Sequence, residues 1–315
     1  MTPAIEVRHL TRRFGQFVAV NDVTFDVNAG EIFGFLGSNG AGKSTTIRML
    51  CGLLKPTSGT AVVGGVDVNG DPEGVKRRIG YMSQRFSLYE LLTVDQNITF
   101  FGGIYGLDDA TLEKRRAFVL EMAGLRGREA TLARDLAGGW RQRLALGCAI
   151  LHEPAILFLD EPTGGVDPLS RRQFWRLIDN LSQNGVTVLV TTHYLDEAER
   201  CHRVALIHAG RLAAIGTTAE VKRVFADRPI LEIRAPNPVE TMRQLDTMPE
   251  IESTSLFGTA VHAVLRTRAA TAEEIRGRLD AAGVEVRSVT PVAPSLEDVF
   301  LDVIDRAENR TGSAA

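Results

Sequence analysis

A glycine-rich stretch near the N-terminus has the residue types and spacing of a phosphate-binding loop. Residues 37–45 read GSNGAGKST and satisfy the pattern G-x-x-x-x-G-K-[ST]. In such a loop, successive backbone N–H groups point inward and surround phosphate oxygens at the positive end of the following helix. The lysine is expected to reach the β- and γ-phosphates, and the serine hydroxyl to ligate Mg²⁺. The candidate phosphate ligands are Gly37, Ser38, Asn39, Gly40, Ala41, Gly42, Lys43, Ser44 and Thr45.

The flanks of this loop predict the strand and the helix that it needs. Residues 32–36 form an apolar run typical of a buried strand. After the loop, Ile47, Leu50, Cys51 and Leu54 recur at helical spacing. A flexible turn before an ordinary helix is the alternative. The strand, loop and helix together favour a site for a nucleoside triphosphate.

Two further sets of polar residues follow apolar runs that predict buried strands. Asp160 and Glu161 follow the apolar residues 156–159, so Asp160 could hold Mg²⁺ through water at the end of a strand. Glu161 would then point at the γ-phosphate and orient or deprotonate the attacking water. His193 follows residues 188–192 at the sheet edge where open α/β sheets bind ligands. Its imidazole could hydrogen-bond the γ-phosphate, whereas two acids that only cap a strand are the alternative for Asp160 and Glu161.

Composition bounds the class of protein. A length of 315 residues suggests two domains, and 44% hydrophobic with 24% charged residues is typical of a globular chain. The net charge of −3, from 36 basic and 39 acidic residues, predicts no nucleic-acid partner. Cys51, Cys148 and Cys201 are far apart and form no C-x-x-C pair, which favours buried hydrophobes over metal or redox sites. No apolar run approaches the ~18 residues of a membrane span, so we expect a cytoplasmic protein unless a partner holds it at a membrane.

Periodicity predicts the elements that position these residues. Strands are expected over residues 5–14 and 17–27, then 60–68 and 78–83, and as nearly continuous apolar strands over 155–159 and 186–191. Residues 91–151 have a helical pattern, with one helix over 109–125 that ends near Gly124. Residues 204–208 and 211–216 predict a hairpin.

The C-terminal third predicts a separate α+β domain of ferredoxin-like β-α-β-β-α-β order. Strands are expected over 230–234, 251–256, 260–266 and 284–289, and helices over 239–245 and 271–282. Thr271 with Glu274, and Ser295 with Asp298, are candidate capping boxes. His262 stands alone in this sequence, which favours a packing or regulatory module over a second active site. The predicted domains are 1–225 and 226–307, with a disordered tail over 308–315.

Taken together, the motifs resemble those of the nucleotide-binding subunits of ABC transporters over residues 1 to about 225. The resemblance implies an α/β P-loop NTPase fold with antiparallel β and helical subdomains. Phe14 matches the aromatic residue that stacks on adenine. Gln84, in YMSQ, matches the glutamine that ligates Mg²⁺ and reports to the membrane partner. ATP and Mg²⁺ are therefore the expected cofactors, with Ser44, Gln84 and Asp160 as metal ligands.

The segment 136–140, LAGGW, occupies the position of the family's L-S-G-G-Q signature. Ala137 replaces serine and Trp140 replaces glutamine, while Gly138 and Gly139 remain, so their N–H groups could still face a phosphate. The resemblance implies a head-to-tail homodimer, with ATP between the loop of one subunit and the Ala137–Gly139 segment of the other.

Finer features resemble the drug-exporter subgroup related to daunorubicin-resistance ATPases. These are residues 161–168, the segment 87–107 and the closing stretch 294–300. The resemblance implies that Glu161, His193 and Lys43 catalyse ATP hydrolysis, which powers a separate transmembrane permease exporting a drug or other small hydrophobic molecule. The chain would then be peripheral on the inner face of the cell membrane. Alternatives are a non-transport ABC ATPase that regulates a protein or nucleic-acid complex, and a regulatory nucleotide-binding module with little turnover.

Overall fold

The chain folds into two compact units, Met1–Ile215 and Gly216–Ala315. The computed structural model describes residues 3–84 and 88–312, with side chains as far as residue 306. Ser87, which begins the segment 87–107 of the exporter resemblance, lies outside the described residues. The sequence-based boundary between residues 225 and 226 lies later in the chain than this division and stays a prediction.

In the described part of the first unit, ten strands form two sheets. They are β1 Ile5–Phe14, β2 Phe17–Val27, β3 Ile32–Leu36, β4 Ser58–Val63, β5 Val66–Asp67, β6 Ile79–Met82, β7 Ile156–Asp160, β8 Thr187–Thr192, β9 Arg203–His208 and β10 Arg211–Gly216. The central sheet has the order β10-β9-β3-β8-β7-β6, and β3 pairs in parallel with both β8 and β9. Every residue of β3, β7 and β8 is buried, which confirms the prediction of central strands covered on both faces. Because these strands are parallel, their carboxyl ends meet at one edge of the sheet.

The second sheet is antiparallel, in the order β2-β1-β4-β5, and packs on the central sheet through aromatic rings. A turn joins β1 to β2 where Phe14 pairs with Phe17. Phe25 of β2 stacks on Phe33 of β3, with ring centroids 5.5 Å apart and an interplanar angle of 6°. This contact fixes the sheet that carries Phe14 against the sheet that carries the phosphate loop.

The helices of this unit confirm the predicted helical region and its boundaries. They are α1 Lys43–Leu50, α2 Pro72–Lys76, α3 Val94–Ile104, α4 Asp109–Ala123, α5 Gly138–Ala149, α6 Pro168–Gln183 and α7 Leu195–Ala198. Helix α4 ends at Gly124, whose φ of 67° is the left-handed conformation that ends many helices. Among residues 3–84 and 88–312, no helix is both long enough and apolar enough to cross a bilayer.

The three cysteines are buried, as the sequence predicts. Burial is the main cause that raises the pKa of each thiol well above its ordinary value. A protonated, buried thiol is a weak nucleophile and a poor metal ligand. Cys51, Cys148 and Cys201 therefore act as small hydrophobic side chains.

The second unit has the predicted order of elements. It contains α8 Thr218–Lys222, β11 Ile230–Arg234, α9 Pro238–Asp246, β12 Ile251–Phe257, β13 Ala260–Leu265, α10 Ala272–Ala281, β14 Ser288–Val292 and α11 Leu296–Gly312. The sheet order is β12-β13-β11-β14, which places the first and third strands at the centre. Both capping boxes are present: Glu274 N donates to Thr271 Oγ1 over 3.2 Å, and Asp298 N donates to Ser295 Oγ over 3.1 Å.

Two C-terminal segments differ from their sequence-based expectations. The last strand begins at Ser288 instead of residue 284, because Val284 N donates to Leu279 O at the end of α10, and backbone bonding to β11 begins only at Arg287, whose N–H donates to Arg234 O. Helix α11 continues to Gly312, past the start of the tail expected to be disordered. Strong helix formers in the run RAENR explain this extension. Residues 313–315 lie outside the described part of the chain.

His262 is not isolated, and the expectation that it stands alone was wrong. Its Nδ1 lies 2.7 Å from Asp298 Oδ1 of α11, and its Nε2 lies 3.8 Å from Glu232 Oε2 of β11. The phenyl ring of Phe257 stacks on the imidazole at 4.2 Å. Sequence alone could not bring these residues together, because they come from four elements that meet only in the folded sheet.

A second buried ion pair lies farther along α11. The Arg228 guanidinium donates to Asp302 Oδ1 over 2.7 Å and to Glu252 Oε1 over 3.0 Å. Two hydrogen bonds from the same guanidinium to Val224 O complete its surroundings. Both buried clusters therefore tie α11 to the rest of this unit.

Candidate functional site

The phosphate loop connects β3 to α1 at the carboxyl edge of the central sheet. Gly42 has a φ of 107° and precedes the first residue of α1. A Cβ atom at Gly42 would lie 2.6 Å from Ala19 O, and one at Gly37 would lie 2.4 Å from Ile207 O. Glycine is therefore required at both positions by conformation or by close backbone approach.

The loop borders an open cleft of about 360 Å³, within the range of small-molecule sites. The side chains and backbone around it come from the first antiparallel hairpin, the loop, α1 and two strand ends. They are Phe14, Phe17, Ala19, Asn39, Gly40, Gly42, Lys43, Ser44, Thr45, Gln84 and Glu161. The structure thus brings the predicted adenine platform, most of the phosphate loop, a predicted metal ligand and the predicted base to one cleft.

Lys43 lies at the floor of this cleft and is nearly buried. Its Nζ donates to Gly37 O over 2.8 Å and to Ser38 O over 3.1 Å, and lies 3.1 Å from Glu161 Oε1. An ammonium group has three hydrogens, so these three oxygens use its donor capacity. A phosphate oxygen that enters the loop must therefore replace at least one of them.

Asp160 ends β7 and is fixed by two hydroxyl groups. Ser44 Oγ donates to Asp160 Oδ1 over 2.9 Å, and Thr191 Oγ1 donates to the same oxygen over 2.8 Å. The negative charge of Asp160 also affects Tyr81. Burial foremost, and then the charge of Asp160, raise the pKa of Tyr81 to about 12, although Arg48 lowers it. A carboxylate beside the hydroxyl of Ser44 forms the oxygen-rich pair that the sequence predicts for a divalent cation.

Glu161 follows Asp160 and is the point where the other predicted groups converge. Its Oε2 accepts from Gln84 Nε2 over 3.0 Å and lies 3.3 Å from His193 Nδ1, while its Oε1 faces Lys43. The φ of Glu161 is 47°, which is uncommon for a residue with a side chain. This backbone conformation turns the side chain from the strand end into the cleft.

Phe14 lies at the outer end of the cleft and is 47% exposed. Its ring is therefore not part of the core, and a flat face is open to a ligand. The guanidinium carbon of Arg12 lies 4.5 Å from the ring centroid, and Arg12 is held by a 2.7 Å hydrogen bond to Lys55 O. The ring is thus supported on one side by a cation.

The turn of the β9–β10 hairpin connects the phosphate loop to β2. Gly210 N donates to Ala41 O of the phosphate loop over 3.1 Å, and Asn21 N of β2 donates to Gly210 O over 2.8 Å. Asn21 belongs to the sheet whose first hairpin carries Phe14. The phosphate loop and the Phe14 sheet are therefore connected through the backbone of one turn.

The Ala137–Gly139 segment does not border this cleft. Ala137 is the N-cap of α5 and is exposed, and a Cβ at Gly138 would meet no atom within 4 Å. Gly139 packs on α6, where a Cβ would lie 2.3 Å from Ser170 Oγ. The Trp140 ring lies 4.0 Å from the Arg128 guanidinium carbon. Apart from the loop of its own chain, helix α5 therefore begins with exposed backbone at Ala137 and Gly138 and has no side-chain cap.

Sequence reasoning missed a buried network behind His193. Thr192 Oγ1 donates to Glu197 Oε2 over 2.7 Å and accepts from Tyr194 N over 2.9 Å. The Tyr194 ring lies between His193, at 4.1 Å, and the Arg171 guanidinium of α6, at 4.0 Å. Thr191 and Thr192 are hydroxyl residues at the end of an apolar run, and this position was the signal that the sequence offered for them.

Comparisons with known proteins agree with this geometry. The family model described as ABC transporter matches residues 20–164, and the model of the C-terminal domain of DrrA1-3-like ATP-binding proteins matches residues 216–304. An AAA-domain model matches residues 140–195. The daunorubicin/doxorubicin resistance ATP-binding protein DrrA of Streptomyces peucetius is 37% identical over 309 residues, which cover 95% of this chain and 92% of DrrA. The chain belongs to the ATP-binding proteins of ABC transporters.

Two other relatives match about 70% of this chain. The probable multidrug ABC transporter ATP-binding protein YbhF of Escherichia coli is 51% identical over 223 residues. That match covers 71% of this chain but 39% of YbhF, so the chain spans about two fifths of this relative. The linearmycin resistance ATP-binding protein LnrL of Bacillus subtilis is 38% identical over 69% of this chain and 70% of its own length.

Solved structures confirm the fold of the ABC unit. An ATP-binding subunit of an ABC transporter matches with a TM-score of 0.65 and 33% identity, covering 71% of this chain and 94% of that chain. A dimeric ATP-binding cassette in a post-hydrolysis state, bound to ADP and Pi, matches with a TM-score of 0.62 and 26% identity, covering 68% and 98%. The P-loop NTPase fold and the ABC family inferred from the motifs are both confirmed.

Proposed function

We propose that the chain binds ATP with Mg²⁺ in the cleft beside Lys43 and hydrolyses it to power a separate membrane permease. The observation that carries this proposal is the position of Glu161. Its carboxylate lies 3.1 Å from the phosphate-loop lysine, at the wall of a cleft that ends at the exposed ring of Phe14. A base adjacent to the expected γ-phosphate position is what hydrolysis requires beyond nucleotide binding.

The residues present fit Mg²⁺. Among the residues that the structure describes, no cluster of three or more His, Cys, Asp or Glu side chains could hold a metal by itself. Mg²⁺ in phosphoryl-transfer sites is held by one or two carboxylates together with substrate phosphates and water, so such a cluster is not needed. Ser44 and Asp160 are the residues that would hold the ion, with the amide oxygen of Gln84 as the third ligand. When bound, the ion would neutralise charge that develops on the phosphate oxygens.

The chain's own groups account for the remaining chemistry. A water oxygen would attack the γ-phosphorus as the bond to the β–γ bridging oxygen breaks, and that electron pair would leave with ADP. Glu161 would orient this water and accept its proton. Lys43 would exchange its present oxygens for those of the β- and γ-phosphates, and His193 would donate to the γ-phosphate. These positioned charges supply the electrostatic stabilisation on which phosphoryl transfer depends.

A second copy of the chain would complete the site. The N-terminus of α5 is exposed at Ala137 and Gly138 and has no side-chain cap, so the N–H groups of the Gly138–Gly139 turn would suit a phosphate from another chain. They do not reach the cleft of their own chain, so they would act on the ATP held by a two-fold partner. ATP would favour the closed homodimer through these additional contacts.

An exposed apolar surface supports the permease as the other partner. Tyr89, Leu91, Phe100 and Ile104, which we term the aromatic patch, are all exposed on or just before α3. The rings of Tyr89 and Phe100 meet edge-on at 4.4 Å. The patch lies within the segment 87–107 on which the resemblance to drug exporters rests, shortly after Gln84, whose match in the family reports to the membrane partner. Docking there would place the chain on the inner face of the cell membrane, and the names of DrrA, YbhF and LnrL support a drug or other small hydrophobic molecule as the exported substrate.

The purified chain should hydrolyse ATP only with Mg²⁺ present, and Glu161→Gln should lower kcat by about 10²-fold or more. Binding of ATP should persist in this variant, because Lys43 and the loop remain. Absence of hydrolysis by the unmodified chain under all Mg²⁺ concentrations, or an unchanged rate in Glu161→Gln, would contradict the catalytic proposal.

The permease is tested by co-expression with a polytopic membrane protein from an adjacent reading frame. The unmodified chain should co-purify with that protein, and Ile104→Asp should reduce the recovered fraction. Leu256→Asp, at an exposed apolar site in the second unit, is the matched control: Leu256 is 47% exposed and Ile104 60%. Equal loss in both variants would argue against the aromatic patch as the docking surface.

A further inference from the structure

Thr191 has a hydroxyl that contacts both acids at the end of β7. It is fully buried on β8 and lies opposite Asp160 across the β7–β8 ladder. Its Oγ1 donates to Asp160 Oδ1 over 2.8 Å and accepts from Glu161 N over 2.9 Å. The hydroxyl has one hydrogen, and the carboxylate takes it, so a lone pair faces the Glu161 N–H.

The backbone at Glu161 needs this support. A φ of 47° is unfavourable for glutamate and persists only where surrounding contacts determine it. The Glu161 N–H is shared between Thr191 Oγ1, at 2.9 Å, and Thr191 O, at 3.2 Å. Both acceptors thus come from one residue, which lies on a central strand of the sheet.

The carboxylate of Asp160 depends on the same hydroxyl. Its Oδ1 accepts from Thr191 and from Ser44, so hydroxyls on β8 and α1 hold it from two sides. If Ser44 turns toward a metal ion, Thr191 remains as the fixed donor. One buried hydroxyl therefore orients the acid that would hold the metal and the backbone of the acid that would act on water.

We propose that Thr191 is a positioning residue for ATP hydrolysis, holding Asp160 and Glu161 in their reactive arrangement. The proposal rests on the proposed ATPase function and assigns no contact between Thr191 and the nucleotide. Its effect should appear in kcat more than in ATP affinity, since the phosphate loop and Phe14 do not depend on it. A threonine that only fills space in the core would affect stability without this separation.

The decisive comparison is between Thr191→Val, which removes the hydroxyl at nearly constant volume, and Thr191→Ser, which retains it. Thr191→Val should lower kcat by about tenfold or more, as loss of a hydrogen bond to a charged group would give. The Kd for ATP should change by less than about threefold, whereas loss of ~1.4 kcal/mol of binding free energy would raise it about tenfold. This Kd is measured in a Glu161→Gln background, in which ATP is not turned over. Thr191→Ser should restore most of kcat.

Thr187→Val is the matched control on the same strand. Thr187 is also buried, and its hydroxyl accepts from Gly30 N over 3.0 Å, at the end of β8 remote from Asp160. This variant loses a comparable buried hydrogen bond, so it should lower the thermal midpoint as Thr191→Val does but leave kcat near the original value. If Thr191→Val does not fold, Thr191→Ala is measured in its place.

Three results would overturn the proposal: an unchanged kcat in Thr191→Val, a Thr191→Ser rate as low as that of valine, or an equal loss of kcat in Thr187→Val. These results are distinct from failure of the proposed function. A failure of that kind would appear as no Mg²⁺-dependent hydrolysis by the unmodified chain, or as an active Glu161→Gln variant.

Discussion

Both units of this ABC protein bury charged groups, but they satisfy them in different ways. In the first unit, Lys43 and Glu161 pair at the wall of an open cleft, and the oxygens around Lys43 could be replaced by those of a phosphate. In the second unit, Arg228 pairs with Asp302, and His262 with Asp298, between the sheet or its connections and α11. The first arrangement is suited to exchange of partners, and the second to holding a helix in place.

The two units differ in whether a buried charged group gains a new partner when its present ion pair breaks. At the cleft, a bound nucleotide would supply new partners for Lys43, so breaking its pair with Glu161 need not leave a buried charge unpaired. The buried ion pairs of the second unit would gain no such new partner from a nucleotide, and an unpaired buried charge lowers the free energy of unfolding. In this protein, a buried charged residue thus indicates a ligand site only where it borders an open cleft.

The largest contrast should come from parallel substitutions of one acid in each unit. Asp302→Asn leaves Arg228 buried without its closest carboxylate and should cost the second unit about 3 kcal/mol of unfolding free energy, with little change in kcat for ATP. Glu161→Gln should abolish most turnover yet cost much less stability, because Gly37 O and Ser38 O still accept from Lys43. Denaturant unfolding and ATPase assays on the full chain measure both quantities.

Arg243→Ala provides the baseline for the first contrast, since its pair with Glu240 is largely exposed and exposed pairs contribute about 0–1 kcal/mol. Were Asp302→Asn no more destabilising than Arg243→Ala, the second unit would not depend on its buried pair, and the comparison would fail.

Phe14 tests whether the outer end of the cleft serves binding instead of folding. Phe14→Ala should weaken ATP binding by about tenfold, as loss of one ring–base stack of about 1–3 kcal/mol would give, with little change in thermal midpoint. Phe118→Ala is the matched control, because that ring is also exposed and also covered by an arginine, with the Arg115 guanidinium carbon 4.6 Å from its centroid. Equal ATP affinities in the two variants would exclude Phe14 as the adenine platform.

The His262 cluster gives the second unit a pH dependence. Burial alone lowers the pKa of His262, but the hydrogen bond and charge of Asp298 and the charge of Glu232 outweigh it and raise the pKa above its ordinary value. Burial likewise opposes the lowered pKa of Asp298, which follows from its hydrogen bonds with His262 and Ser295. Stability from His262 should therefore be complete below its unfolded pKa and decline as pH rises through its raised folded pKa.

At the acidic side, stability from Asp298 should decline as pH falls through its lowered folded pKa. Thermal unfolding of the full chain across this range should show a broad maximum for the second unit between the two pKa values, which His262→Gln should flatten on the alkaline side. The effect should be smaller than that of Asp302→Asn, because neutral histidine can keep its Nδ1 hydrogen bond to Asp298. An identical pH profile in His262→Gln would show that the cluster does not couple protonation to folding.

The smallest effect is expected at Ala137. A serine hydroxyl there would donate one more hydrogen bond to the phosphate at each site, beside those from the N–H groups of Gly138 and Gly139. One such bond contributes about 1 kcal/mol. Ala137→Ser should therefore strengthen ATP-driven dimerisation modestly in a Glu161→Gln background. Sedimentation with Mg²⁺ and ATP measures the dimerisation constant, and equal constants for alanine and serine would show that the backbone groups suffice.

The sequence predicted those parts of the site that depend on local order along the chain. The phosphate loop, Asp160, Glu161 and His193 each follow an apolar strand, so a parallel sheet had to bring them to one edge. Thr191 was not predicted, because its role depends on which strand lies beside β7, and adjacency in a sheet does not follow from order in sequence.

The second unit shows the same limit. Its order of elements follows from alternating periodicity, and its capping boxes from residues three positions apart. The contact of His262 with Asp298 joins residues 36 positions apart, so no local pattern could reveal it. The later start of β14 reflects Val284, which the apolar pattern assigned to the strand but whose N–H bonds to the end of α10.

The bridge through Gly210 has a consequence for what the cleft can accept. Its two backbone hydrogen bonds join the phosphate loop to the sheet whose hairpin carries Phe14, so the ring and Lys43 are held at a set separation. A nucleotide whose base lies on Phe14 can then bring to Lys43 only those phosphates that span this separation. The hairpin turn would thus let the cleft distinguish nucleotides by the length of their phosphate chain as well as by charge.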